Sequence, residues 1–217
     1  MTTIGVIGAG HIGRSFSTAA IERGYDIVIS NASGPETLRD LVDELGPKAR
    51  AATVADSAAA GYFALLAIPL TGADDLPVQQ LAGKVVLTTV NYFPQRDGHF
   101  PEIDAGTLTV PGYLQARLPE SKVVRVFNHI DAANIVADGS PAGTPNRRAL
   151  GYAGDDPDAK RLASDLYEAF GFDAVDVGGL DDAWRLDVDQ PTFVVRQNKQ
   201  ELIENLAKAT RHASAVS

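Results

Sequence analysis

The chain has 217 residues, 45% hydrophobic and 22% charged, which suits a globular protein of one large domain or one domain with a small appendage. Its 28 acidic residues outweigh 19 basic ones for a formal charge of −9, and no basic cluster interrupts them, so nucleic acid is not an expected partner. Cysteine is absent, which excludes disulfides, thiolate catalysis and cysteine-ligated zinc or iron–sulfur centres. No charged leader precedes the first apolar run, and no run approaches the roughly 18 residues of a membrane span, so the expected location is cytoplasmic with no membrane contact.

Thr3 to Ile7 reads as a strand, and Gly8, Gly10 and Gly13 follow at Gly-x-Gly-x-x-Gly spacing as a helical pattern begins. In this context Gly8 makes the tight turn, Gly10 leaves room for a pyrophosphate, and Gly13 lets helix and strand pack closely. Gly8, Ala9, Gly10, His11, Ile12 and Gly13 are therefore the expected phosphate cradle of a dinucleotide, with His11 acting through its backbone.

A helix from Ile12 to Arg23, a stop at Gly24 and a second strand, Asp26 to Ser30, come next. An NAD site places a carboxylate at this strand's tip, whereas here Asn31, Ala32 and Ser33 precede Gly34 and Pro35. Those three are expected to border the adenosine ribose. The absence of a carboxylate favours NADP over NAD, with free amides at the start of a Glu36–Leu45 helix as phosphate partners. Lys48 or Arg50 would contribute only by folding back.

After a short segment at Ala51–Val54, the apolar run Tyr62 to Ile68 reads as a central parallel strand ending at Pro69. Ala67, Ile68 and Pro69 are candidates for the nicotinamide-side ribose, or simply a strand stop. A helix-like Ala73–Leu81 and a strand Val85–Val90 lead to the Asn91–Phe100 loop. Its aromatics, amide and His99 suit substrate contacts, and Arg96 with Asp97 suits a structural loop. A strand Lys122–Phe127 ends in Asn128 and His129. Asn91, Tyr92 and His129 are the candidate catalytic groups, with Asn91 also a cofactor contact and Tyr92, Asn128 and His129 substrate contacts. The histidines lack the spacing of a metal-ligand pair.

The glycine turn, Ser30-Asn31-x-x-Gly34-Pro35-Glu36-Thr37-Leu38, Ala67-Ile68-Pro69, Asn91-Tyr92-x-Pro94-x-Arg96-Asp97-Gly98 and Phe127-Asn128 together resemble the deazaflavin-dependent NADP oxidoreductase family. The resemblance runs from Ile4 to about Phe193. It implies a Rossmann-type, doubly wound, mostly parallel α/β fold with a small C-terminal α/β extension, divided into a dinucleotide-binding Rossmann domain over residues 1–138 and a small C-terminal domain over 139–217. It further implies hydride transfer between the nicotinamide C4 of NADP and C5 of coenzyme F-420, or a flavin in its place. Ser33 stands where relatives often carry an Arg, which removes a bidentate phosphate partner.

In the extension, a strand Arg148–Ala153, a helix from Pro157 to Phe170, a strand Asp173–Val177 and a terminal helix Phe193–Arg211 are expected, the last able to mediate a homodimer. Trp184 packs against the domain, and His212 is solvent-exposed near the terminus. Two other readings stand beside hydride transfer to a flavin-like co-substrate. One is an NADPH-dependent reductase of a small C=O or C=N substrate, with Tyr92, His99 or His129 as proton donor. The other is a non-catalytic NADP-binding sensor or partner-binding protein.

Overall fold

A computed structural model describes residues 2–211; the expectation for His212 lies outside the described residues. Eight strands form one sheet: β1 (Thr3–Ile7), β2 (Asp26–Ser30), β3 (Ala49–Ala51), β4 (Phe63–Leu66), β5 (Val85–Thr88), β6 (Lys122–Arg125), β7 (Ala149–Gly154) and β8 (Asp173–Gly178). Among the described residues, ten α-helices accompany them: α1 (His11–Glu22), α2 (Arg39–Leu45), α3 (Val54–Ala60), α4 (Val78–Leu81), α5 (Pro94–Asp97), α6 (Pro101–Asp104), α7 (Val110–Arg117), α8 (Ala132–Ala137), α9 (Pro157–Phe170) and α10 (Lys199–Lys208). The strand order is β3-β2-β1-β4-β5-β6-β7-β8, and every pairing is parallel except β6 with β7. The fold is thus the doubly wound α/β architecture, with β1 and β4 flanking the point where the strand order reverses.

Alternation along the strands divides the core into two layers, as expected of a sheet covered on both faces. Ile4, Val6, Phe63 and Leu65 point to the face covered by α1, α2, α8 and α9, where Phe16, Ile135 and Phe170 lie. Ile7, Ala64 and Leu66 point to the other, against Ala58, Leu81 and Leu114 of α3, α4 and α7.

The segment beyond residue 138 is an extension of this sheet and not a separate body. Leu150, Tyr152, Phe170 and Phe172 share one cluster with Phe16 and Phe127. The Tyr167 hydroxyl accepts from the Phe127 amide (2.8 Å) and donates to the Gly151 carbonyl (3.0 Å), joining the two sides of the expected boundary.

Local differences from the sequence expectations have visible causes. Ala73–Leu81 is not one helix: Pro77 separates a 3-10 turn, Leu70–Asp75, from α4. The helix expected from Glu36 begins as a 3-10 turn, Pro35–Leu38, before α2. The terminal helix starts only at Lys199, where Asn198 and Glu201 cap each other's backbone amides. No described helix is long and apolar enough to cross a membrane.

Candidate functional site

At the C-terminal ends of β1, β2 and β4 the chain leaves a cleft of about 420 Å³. Gly8, Ala9 and Gly10 form one wall, Asn31 and Ala32 a second, and Ala67, Ile68 and Pro69 a third. The expected phosphate, adenosine-ribose and strand-end segments therefore meet in one place, at the crevice where this architecture binds ligands. Ile7, Val54 and Leu76 add apolar surface, and Thr71, Gly72 and Asp75, from the 3-10 turn after Pro69, complete the lining. Sequence reasoning missed these six; the Pro69 strand stop and the Thr53 cap of α3 were the available signals.

The three glycines have separable causes. Gly8 has φ +112°, and a Cβ there would collide with the Ala67 carbonyl oxygen. A Cβ on Gly13 would collide with the Gly8 carbonyl oxygen, so its absence lets α1 sit on the turn. Gly10 has an ordinary extended backbone, φ −75° and ψ −170°, and no neighbouring side chain or strand lies within 4 Å of where its Cβ would stand. Neither packing nor backbone conformation demands a glycine there, whereas a ligand approaching the backbone would. Gly10 also begins α1, which has no side-chain cap and no acidic residue in its first turn. Its amides are open to an anion at the positive end of the helix dipole. The cleft fits a dinucleotide's pyrophosphate on these grounds.

His11, Ile12, Gly13 and Ser33 adjoin the cleft in sequence but do not line it. His11 is exposed at the start of α1, and Gly13 is buried beneath the turn. At the tip of β2 the Ser33 amide donates to Asn31 Oδ1 (3.1 Å), and Asn31 Nδ2 donates to the Thr37 hydroxyl (2.9 Å). Lys48 and Arg50 cannot fold back to this turn. With Thr3 and Asp26, the first residues of β1 and β2, they line a depression at the opposite end of the strands.

The candidate catalytic and substrate groups lie elsewhere, among buried polar contacts. Asn91 Oδ1 accepts from Arg125 Nη2 (2.9 Å) and Asn128 Nδ2 (3.1 Å), while Asn91 Nδ2 donates to the Asn128 carbonyl (2.7 Å). Arg125, fully buried, pairs with Asp187 at 2.7 Å, and burial pushes the Asp187 carboxyl up against the pull of that guanidinium. Asn128 also donates to the Leu186 carbonyl (2.6 Å). These bonds lock the tips of β5 and β6 together.

Tyr92 is buried, and its hydroxyl donates to Asp104 Oδ1 (2.6 Å). Burial and this carboxylate push the phenol up to about 12. His129 is a correction to the sequence reading: with no exposed surface it does not reach a substrate. Its Nε2 accepts from the Gly151 amide (2.9 Å), which leaves the proton on Nδ1 to donate to the Thr192 carbonyl (3.3 Å). His99 is exposed, 3.1 Å from Asp104 Oδ2. The Arg96–Asp97 pair is structural: Asp97 is buried, bonded to Arg96 Nε (2.7 Å) and to the Phe93 amide (3.0 Å). None of these groups lines the cleft.

Residues 3–92 match the family described as NADP oxidoreductase, coenzyme F-420-dependent. The chain is 27% identical over 177 residues to the metalloreductase STEAP3 of Rattus norvegicus, covering 82% of this chain. It spans 34% of the length of that relative. Among solved structures, a hypothetical protein of Sinorhizobium meliloti superposes with a TM-score of 0.77 at 28% identity, covering 92% of this chain and 96% of that one. A protein of Arthrobacter sp. FB24, provisionally assigned as an F-420-dependent NADP-reductase, gives 0.73 at 25% identity, covering 84% and 87%.

Proposed function

We propose, from the premise that this chain belongs through residues 3–92 to the coenzyme F-420-dependent NADP oxidoreductase family, that it passes hydride between NADP(H) and a deazaflavin or flavin-like acceptor. The observation that carries the reading is Gly10, a glycine that only a ligand requires, at the uncapped start of α1 in a cleft at the sheet's reversal point. When bound, the nicotinamide and the acceptor ring supply the redox chemistry between themselves. The chain's part is to bind, align and exclude water. The α1 amides take the pyrophosphate, and the apolar Ile7, Ile68 and Leu76 flank the bound nucleotide. The Asn91–Arg125–Asn128 contacts hold the β5 and β6 tips together.

Transfer of hydride to a flavin-like ring needs little help from a protein acid, and the proton-donor candidates support that reading by their positions. Tyr92 has its proton held by Asp104, His129 is buried, and neither they nor His99 line the cleft. The test is anaerobic oxidation of NADPH, with NADH in parallel, against coenzyme F-420, FMN, FAD and riboflavin. Multiple turnovers with the deazaflavin or a flavin are expected. Tight coenzyme binding with no turnover on any of them would contradict the reading and favour a sensor.

A further inference from the structure

In a dinucleotide bound here, Gly8 to Gly10 face the pyrophosphate, and Asn31 and Ala32 face the adenosine ribose. Part of the lining is left over. It comes from Val54, which opens α3 just after β3, and from Thr71, Gly72, Asp75 and Leu76, in and directly after the 3-10 turn that follows Pro69. In the strand order β3 lies beyond β2 from the glycine turn, so Val54 stands on the side toward which a nucleotide continues once its ribose is at the β2 tip. Val54, Ile68 and Leu76 belong to one apolar cluster and together line the cleft. Such a surface suits the flat ring of a base.

Two carboxylates stand side by side in the 3-10 turn, and the molecule uses them differently. Asp74 accepts from Arg117 Nε of α7 (2.5 Å) and ties the turn to that helix. Asp75 is exposed and makes no hydrogen bond or ion pair among the described residues, where it is the one charged side chain on the cleft's lining. Ala73 and Leu76, both buried, anchor the backbone on either side of it. A carboxylate can only accept hydrogen bonds. The 6-amino group of adenine offers it a donor, whereas a 6-keto purine sets a carbonyl oxygen against it.

We propose that Val54, Leu76 and Asp75 form the base subsite of the cleft, and that Asp75 selects adenine by accepting a hydrogen bond from its 6-amino group. The subsite rests on the NADP(H) cleft proposed above and adds to it the residue that reads the base. It concerns binding alone, so it is separable from the identity of the hydride acceptor.

The test is calorimetric titration of the full chain with NADPH and with its 6-keto counterpart, reduced nicotinamide hypoxanthine dinucleotide phosphate, repeated for Asp75→Asn and Asp74→Asn. The wild-type chain is expected to bind NADPH about tenfold more tightly than the keto form, the size of one hydrogen bond to a charged group. An amide at 75 can accept from an amino group or donate to a carbonyl, so Asp75→Asn should bring the two affinities to within about twofold. Asp74→Asn removes the same charge one residue away and should leave the wild-type ratio in place. Because Asp75 is exposed and unbonded, Asp75→Asn should also keep the wild-type thermal midpoint. Equal affinities in the wild type, or an unchanged ratio in Asp75→Asn, would overturn the role of Asp75 and leave the dinucleotide cleft standing. Failure of both forms to bind the wild type would overturn the cleft reading and the subsite with it.

Discussion

His129 follows β6 at a position that reads, in one dimension, as a polar group at a strand tip. In three dimensions the chain folds over it, and both ring nitrogens are taken by backbone, from Gly151 and to Thr192. Burial, seconded by the charges of Arg148 and Arg125, lowers its pKa to about 4 against the opposing backbone bonds. The unfolded chain therefore binds a proton that the folded one refuses between about pH 6.5 and 4, so stability falls as pH drops through that window. Between pH 7.5 and 5 the expected loss from this group is about 2 kcal/mol. Urea unfolding at the two pH values checks it: His129→Gln, which keeps a donor and an acceptor without a titrating ring, should lose less on acidification than the wild type. An equal loss would mean that the ring does not carry the effect. The same residue marks a limit of sequence reading. That His129 lies after a strand was legible; that β7 and the Thr192 segment close over it depends on contacts 22 and 63 residues away.

The β1–turn–α1 unit was legible because its requirements are local. Glycine at 8 answers a positive φ, and glycine at 13 answers the Gly8 carbonyl that a Cβ would strike. Gly13→Ala should cost about 2–3 kcal/mol, as overpacking against backbone does. Denaturant unfolding measures this, and an unchanged midpoint would contradict the packing described. Elements built on proline were harder to see. Pro111 and Gly112 look like breakers, yet Thr109 caps α7 through the Gly112 amide and Pro111 sits in its first turn, where a missing N–H costs nothing. The apolar pattern after Phe193 suggested a longer final helix, but the Asn198–Glu201 capping box fixes its start. Positions 31–33 were legible as a turn after β2, whereas the Glu36 carboxylate returning onto Gly34 was not, because a two-residue hook has no periodicity.

At the scale of the molecule, β7 and β8 complete one sheet, and the expected boundary at 138/139 crosses a single core. Arg148 pairs with Asp138 at 2.6 Å across it, and Phe127, held at φ +49°, packs its ring against Tyr167, Phe170 and Phe172. A chain ending at residue 138 would expose the β6 edge and this aromatic cluster. It is expected to lack a cooperative thermal transition, and a sharp one would show that the N-terminal unit is autonomous. This joined sheet carries the central claim, that the glycine turn at its reversal point is a coenzyme cradle. The measurement that tests it most directly is titration of NADH and NADPH into the wild type and Gly10→Ala, with thermal unfolding of both. Because no neighbouring side chain or strand occupies the space beside Gly10, the variant should keep its fold to within about 1 kcal/mol, the scale of a helix-cap change, and lose at least about tenfold in affinity for both coenzymes. Undiminished binding by a stable Gly10→Ala chain would contradict the account.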